Sequence, residues 1–379
     1  MRFVHFSDTH LGFSDLNKID ATTGINQRES DFYRAWWQAI DKILELKPDF
    51  VVHAGDLFQT PRPNNRAIRV GLEGIQRLND ADIPFVVVAG NHSTPRIRQT
   101  GSIFESIALF PKVHAAYQSK YERFRVGECA LHCVPHCSLS DELSAAYQAV
   151  ERDADAKYQL FVTHGAWRES DGDLIGSVGE FNEQYIENPA KKLNIAFDYI
   201  ALGHYHKYLR VAENAYYSGS TERTSFNEVG YSSGLILVDL AQKTHEYVEI
   251  QSRPMLSIGP LDCAQLTCES IYEMLEKKQD AVSEGCMLRL ELKGLARDTL
   301  LLLDLQRIDA IFPQALHIEK IFHPNEENDL HRTTASIGSL PTEFERYLEM
   351  QKDFTLDREK FRSMGLSLLD LAEQNEPLE

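Results

Sequence analysis

Five short runs of apolar and β-branched residues in this chain each end directly in Asp, Asn or His, and few folds can use that pattern. The runs are Arg2 to Phe6, Phe50 to His53, Phe85 to Ala89, Leu160 to Thr163 and Tyr199 to Leu202. Their endings read Phe6-Ser7-Asp8-Thr9-His10, His53-Ala54-Gly55-Asp56, Ala89-Gly90-Asn91-His92, Thr163-His164-Gly165 and Leu202-Gly203-His204-Tyr205-His206. Stretches with helical periodicity separate the runs, which is the signature of an α/β layered domain. In sheets of parallel strands the C-terminal ends gather along one edge, and ligands bind there. The endings are therefore expected to converge on one pocket, with Gly55, Gly90, Gly165 and Gly203 letting the backbone turn sharply beside it.

The side chains delivered this way are Asp8, His10, Asp56, Asn91, His164, His204 and His206, a mixed oxygen and imidazole set without cysteine. Such a set suits manganese, iron, cobalt or zinc better than a thiolate zinc site or an all-oxygen calcium site. Seven donors are too many for one catalytic ion that keeps an open position. They suit two divalent ions sharing one carboxylate, about 3.5 to 4 Å apart.

At 379 residues the chain exceeds what one hydrophobic core usually organises. Helices are expected at Glu29 to Leu46, Asn64 to Leu78 and Gln99 to Phe110, with apolar faces that pack on the sheet or on another subunit. Gly234 to Ile250 reads as one or two further strands, and Arg253-Pro254 marks a break after them. Then comes a β, α, β, α, β order: Met255 to Ile258, Cys268 to Lys278, Met287 to Leu292, Thr299 to Phe312 with Asp298 as N-cap, and Leu316 to Phe322. Two amphipathic stretches close the chain, the first with Thr342 and Glu345 in capping-box spacing, the second from Leu356 to Gln374. The expected division is thus 1–251, 252–335 and 336–379: an α/β sandwich, a small α+β capping domain and a helical tail that folds back or docks on a partner.

The start shows no secretory signal, and the longest apolar stretches fall far short of the about 20 residues that span a bilayer, so a cytoplasmic protein is expected. Six cysteines without a secretion signal are expected to be reduced. A net charge of −18 argues against gripping a polyanion by bulk electrostatics. Divalent ions, local arginines or a basic partner would have to supply the attraction.

The ordered set Asp8-x-His10, Gly55-Asp56, Gly90-Asn91-His92, His164 and Gly203-His204-x-His206 resembles the calcineurin-like metallophosphoesterases. Ser7-Asp8-Thr9-His10-Leu11-Gly12, Ala54-Gly55-Asp56-Leu57-Phe58 and Ser218-Gly219-Ser220-Thr221-Glu222-Arg223 narrow the resemblance to the SbcD or meiotic-recombination-eleven type of double-strand-break-repair nuclease. It extends over residues 1 to about 250 and more loosely beyond. The resemblance implies that Asp8, His10 and His206 bind one metal, that Asn91, His164 and His204 bind the other, and that Asp56 bridges them. His92 would be the general acid that protonates the leaving 3′ oxygen. Manganese is the metal implied, with Mg, Fe, Co or Zn as alternatives. The resemblance further implies DNA exonuclease and single-strand endonuclease activity, nucleoid association, and a homodimer through the helices at 64–78 and 99–110. It also implies that the tail binds a coiled-coil, SMC-like ATPase of the SbcC or Rad-fifty type. Two positions depart from the family: Ser93 stands where it often has aspartate, and Gln59 where it often has histidine, both beside His92.

Arg62, Arg66, Arg69, Arg96, Arg98, Lys207 and Arg223 flank the ligand loops and could follow DNA phosphates or be solvated surface. Cys129, His132, Cys133, His136 and Cys137 lie on a strand with the cysteines on one face and the histidines on the other, which favours core thiols over a zinc site. His5 and His53, inside apolar strands, read as structural. Two rivals stay open: a small-molecule phosphodiesterase or phosphatase on the same scaffold, and a DNA-end-tethering scaffold with a vestigial metal site.

Overall fold

The computed structural model describes residues 1–21, 23–95, 97–168, 174–175, 178, 182–325, 340–350 and 357–374. They group into two compact units: Met1–Leu261 with Tyr272–Glu291 and Asp304–Ile321, and Asp262–Ile271 with Leu292–Leu303 and Phe322–Glu379. The boundary expected at 335 lies outside the described residues.

The first unit is built on two six-stranded sheets. One holds β1 (Arg2–Phe6), β2 (Phe50–His53), β3 (Phe85–Val88) and β4 (Val113–Ala116), with a hairpin that arrives later in the chain. The other holds β5 (Glu122–Val126), β6 (Cys129–Val134) and β7 (Tyr158–His164), then three strands that come after the small sheet of β8 (Ala166–Arg168), β9 (Leu174–Ile175) and β10 (Tyr185–Glu187). Those three are β11 (Tyr199–Gly203), β12 (Tyr208–Ala212) and β13 (Ala215–Ser218). The late hairpin is β14 (Gly234–Asp239) and β15 (Thr244–Glu249), giving orders β15-β14-β1-β2-β3-β4 and β12-β13-β11-β7-β6-β5.

The two-residue period of the strands sorts their side chains into two cores. Val4, Phe6, Val51, Phe85 and Val87 face outward, under helices α1 (Gln27–Leu46), α2 (Asn65–Asp80) and α3 (Phe104–Ile107). Phe3, Phe50, Val52, Val86 and Val88 face the second sheet and meet Leu131, Leu160, Val162 and Ala201. The far face of that sheet is covered by α4 (Ser140–Gln148) and α5 (Pro189–Leu193), with Phe161, Ile200 and Leu202 beneath. The expected sandwich of sheets flanked by helices is what forms. Asn26 and Asn64 begin α1 and α2 by accepting backbone N–H bonds, which satisfies donors the first turn leaves open.

Three local expectations fail. The helix expected over Gln99 to Phe110 is only a 3-10 turn at Arg98–Thr100 followed by the four residues of α3. Gly101 at φ +71° interrupts it, while Ile103, Ile107 and Phe110 still pack on the first core, so the apolar spacing was real without a continuous helix. Cys137 lies past the end of β6 and packs in the outer core with Val134, whereas Cys129 and Cys133 lie between the sheets. Beyond Arg253, β16 (Met255–Asp262), β17 (Cys286–Leu295) and β18 (Ala315–Pro324) form a sheet in that order, with α6 (Cys268–Glu276) between the first two strands in sequence. The single helix expected over Thr299 to Phe312 is two, α7 (Arg297–Leu302) and α8 (Leu305–Ile311), and Asp304 rather than Asp298 is the cap, accepting from the N–H groups of Gln306 and Arg307.

In the second unit α9 (Leu340–Met350) and α10 (Arg358–Gln374) pack on each other through Phe344 and Phe361, whose rings lie 6.2 Å apart. Thr342 and Glu345 are inside α9 rather than at its cap, and Glu345 pairs with Arg362.

Candidate metal centre

β1, β2 and β3 run parallel in the first sheet, as do β7 and β11 in the second. Their C-terminal ends carry all seven expected donors to one place. The loops after β1 and β2 remain zipped together past the strands, by Asp8 N–H to Gly55 O (3.0 Å) and His10 N–H to Asp56 O (3.0 Å). The two sheets are tied at the same point, where the His164 ring Nδ1 lies 2.9 Å from the Ala54 carbonyl oxygen.

Four of the seven donors sit in left-handed backbone: Asp8 at φ 52°, His10 at 41°, Asp56 at 52° and His204 at 104°. Such conformations are uncommon away from glycine and cost roughly 1–3 kcal/mol where strained. The glycines between them are needed for close approach. A Cβ on Gly90 would overlap the Asp56 carboxylate, and one on Gly203 would overlap the Ala54 carbonyl oxygen.

The donors are nearly in contact. His10 Nε2 is 3.1 Å from His206 Nε2, and both are 4.0 Å from Asp8 Oδ1. His164 Nε2 is 3.0 Å from Asn91 Oδ1 and 3.0 Å from Asp56 Oδ2. Three triads have donor atoms all within 4.8 Å of one another: Asp8, His10, His206; Asp8, Asp56, His164; and His10, Asp56, His92. His204 is brought in by its backbone N–H, which donates to both Asp8 oxygens (3.1 and 3.0 Å).

Asp8 and Asp56 are buried, as are His10, His164 and His204, while His92 and His206 are partly exposed. Burial pushes the Asp8 carboxyl up, partly offset by His164 and His206. Burial also opposes charging Asp56, but His164, His92 and His10 outweigh it and hold that carboxyl well below the usual range. His164 is pushed up in turn, because Asp56 and Asp8 outweigh its desolvation. Two carboxylates so placed draw positive charge into the pocket, and imidazole nitrogens facing one another across 3.1 Å suit a shared cation. The residues therefore fit divalent metal.

His92 donates its backbone N–H to Asp56 Oδ1 (3.0 Å), and its Nδ1 lies 3.1 Å from the Gln59 carbonyl oxygen. The two departures from the family pattern are thus locally accommodated. A backbone carbonyl, independent of side chain, meets the His92 ring at position 59, and buried Ser93 bonds to Phe58 O (3.3 Å).

The expected phosphate contacts divide. Arg62 and Lys207 are exposed. Arg66 pairs with Glu29 at 3.3 Å, and Arg69 with Glu73 at 3.2 Å. The Arg223 guanidinium is committed to the carbonyl oxygens of Tyr231 and Arg253, so it is occupied in holding the fold. Arg96 and the side chain of Arg98 lie outside the described residues.

Sequence reasoning missed the groups behind the donors. Glu183 Oε1 is 2.6 Å from His204 Nε2, and Glu228 Oε1 is 2.9 Å from His206 Nδ1. Ser7 donates to Asp8 Oδ2 at 2.5 Å, and Ser218 Oγ lies 2.8 Å from Ser7 Oγ. Both serines stood within the strings that carried the resemblance; the two glutamates had no signal of their own.

Residues 1–208 match the calcineurin-like phosphoesterase family. Among curated relatives, the DNA double-strand break repair protein Mre11 of Thermoplasma acidophilum is 31% identical over 292 residues, covering 72% of this chain and 71% of that protein. The protein of the same name from Methanococcus maripaludis is 31% identical over 246 residues, covering 60% of this chain and 59% of that one. The Haloferax volcanii protein is 27% identical over 308 residues, covering 77% and 61%. With these donors at its strand ends, the chain belongs to the calcineurin-like phosphoesterases, hydrolases that work with divalent metal ions, and within them to the Mre11 and SbcD type.

Proposed function

We propose that this chain is a manganese-dependent DNA exonuclease and single-strand endonuclease, the nuclease subunit of a double-strand-break-repair complex. The observation that carries the reading is the convergence of seven donors, from five strand ends on two sheets, around the buried Asp56 carboxylate. Asp8, His10 and His206 would hold one ion, Asn91, His164 and His204 the other, and Asp56 both. When bound, the ions supply Lewis acidity toward the phosphoryl group and a nucleophile from water at neutral pH. His92 stands beside His10 and Asp56, and distance alone would admit it as a further donor. Its Nδ1 lies 3.1 Å from Gln59 O, which fixes the ring beside the cluster, and as general acid His92 would hand a proton to the departing 3′ oxygen.

Bulk charge does not draw DNA to a chain carrying −18, so local cations must. Arg62 and Lys207 are the exposed candidates in the described loops. A coiled-coil ATPase partner suits the tail, where Tyr347, Met364 and Leu368 leave apolar surface exposed on α9 and α10. A homodimer through the segments 64–78 and 99–110 is part of the same reading. The archaeal relatives are named DNA double-strand break repair proteins, which supports action at DNA breaks and, with it, a cytoplasmic, nucleoid-associated protein. Among the described residues no helix is long and apolar enough to cross a membrane.

End-labelled single- and double-stranded DNA incubated with Mg, Mn or Zn tests the proposal, with Asp56→Ala as control. Cleavage that needs manganese and vanishes in the variant is expected. Turnover of a nitrophenyl phosphodiester without DNA cleavage would favour a small-molecule esterase. DNA binding with no hydrolysis above a His92→Ala control would leave only a tethering role.

A further inference from the structure

Two separate stretches of chain stand behind the donor cluster, and they divide the donors between them. The first is 218–228. Its Ser218 hydroxyl meets Ser7, which donates to Asp8. Its Glu228 meets Nδ1 of His206 at 2.9 Å and is itself fixed by Thr224, through the backbone N–H at 2.9 Å and through the hydroxyl. The second is 183–184. Glu183 meets Nε2 of His204 at 2.6 Å, while Gln184 donates to the backbone carbonyl of His164 at 2.9 Å and accepts from Cys137 N–H at 2.8 Å.

An imidazole that gives one N–H to a carboxylate has its tautomer fixed and presents the other nitrogen as a better ligand. His206, bonded at Nδ1, presents Nε2, the atom that lies 3.1 Å from His10 and 4.0 Å from Asp8. His204, bonded at Nε2, presents Nδ1. Two histidines only two residues apart therefore offer opposite ring nitrogens, each chosen by a different glutamate. Both glutamates are buried against their histidines, where a carboxylate without a cationic or N–H partner would be costly.

We propose that Glu228 and Glu183 are positioning residues of the metal centre, each serving one of two subsites, so that segment 218–228 sets the affinity of the site of Asp8 and His206 while segment 183–184 sets that of the site of His164 and His204. This rests on the two-ion reading above. The two subsites are then tuned independently, and a change in one supporting segment empties one site without emptying the other.

The full chain, stripped by chelation, is titrated with Mn²⁺ by calorimetry, and occupancy of each subsite is read from anomalous diffraction at limiting metal. The wild type is expected to bind two ions. Glu228→Gln should weaken the ion at Asp8 and His206 by about 10- to 100-fold and leave the other nearly unchanged, and Glu183→Gln should do the reverse. Thr224→Val, whose hydroxyl donates to Glu228 and lies 3.5 Å from His206 Nδ1, should weaken the same ion as Glu228→Gln by a smaller factor. A role confined to folding would lower the melting temperature and shift both affinities together or neither, and that result overturns the proposal. Wild-type protein that binds fewer than two ions sinks the two-ion reading and this inference with it. Wild-type protein that binds two ions but cuts no DNA refutes the nuclease reading alone, and the affinity pattern still decides this one.

Discussion

The strand-end pocket and the α9–α10 pair spend stability in opposite ways. In the pocket, two carboxylates and the imidazoles of His10, His164 and His204 are buried, and Asp8, His10, Asp56 and His204 hold left-handed backbone. Such a site survives only because two packed sheets over-determine it. In the helix pair the anomaly is reversed: Tyr347, Met364 and Leu368 are 59%, 60% and 62% exposed, so apolar area stays in water. A strained, buried polar site is finished within its own fold, whereas an exposed apolar face gains its stabilisation from something that covers it.

The largest effect expected on the pocket side is chemical. His92→Ala should cut turnover by about 10²- to 10⁴-fold in saturating manganese while two ions still bind, as measured by single-turnover cleavage and calorimetry. Loss of an ion in that variant would instead make His92 a ligand, as its place in a triad with His10 and Asp56 allows.

Next comes the buried charge cluster of Arg28, Asp31, Glu222 and Arg253. Arg253 clamps Asp31 with two guanidinium nitrogens, and its backbone N–H donates to Glu222 at 2.9 Å, with Arg28 closing the cluster. Arg253→Ala leaves carboxylates buried with less compensation and should cost about 3–5 kcal/mol in urea unfolding. A loss under about 1 kcal/mol would show that the cluster is hydrated and the contrast overstated.

A smaller effect comes from pH. Burial pushes His5 and His53 down to about 3. Unfolding returns each to about 6.5, so below that pH the unfolded chain binds protons that the folded chain refuses. The contribution of these two groups is therefore full above about pH 6.5 and falls as pH drops toward 3. Between about pH 7.5 and 5.5 the two together should remove roughly 2 to 3 kcal/mol, and a flat profile over that interval would contradict their burial in neutral form.

The smallest effect belongs to the tail. Met364→Ser and Leu368→Ser should move unfolding free energy by no more than about 0.5 kcal/mol, because both side chains are already in water. A larger loss would mean that the face is covered within the protein itself, and the comparison would fail on that side.

The donors were legible because each comes within four residues of the end of an apolar run, and a parallel sheet turns that linear pattern into a spatial one. The glycines were legible for the same reason, since Gly55, Gly90 and Gly203 stand where the chain must approach a donor closely. The groups behind the donors were not legible. Glu183 and Glu228 belong to no strand end, and their distance from His204 and His206 is closed only by the fold. Arg223 and Arg253 looked like a phosphate contact and a punctuation mark, yet both are joined into buried polar clusters that only tertiary structure reveals. Helix lengths were misread where apolar spacing persists through a turn, at Gly101 and again at Leu303-Asp304.

The most direct measurement is an anomalous difference map from crystals grown with manganese. Two peaks about 3.5 to 4 Å apart are expected on either side of the Asp56 carboxylate, one against Asp8, His10 and His206 and the other against Asn91, His164 and His204. A single peak, or peaks away from Asp56, would contradict the account.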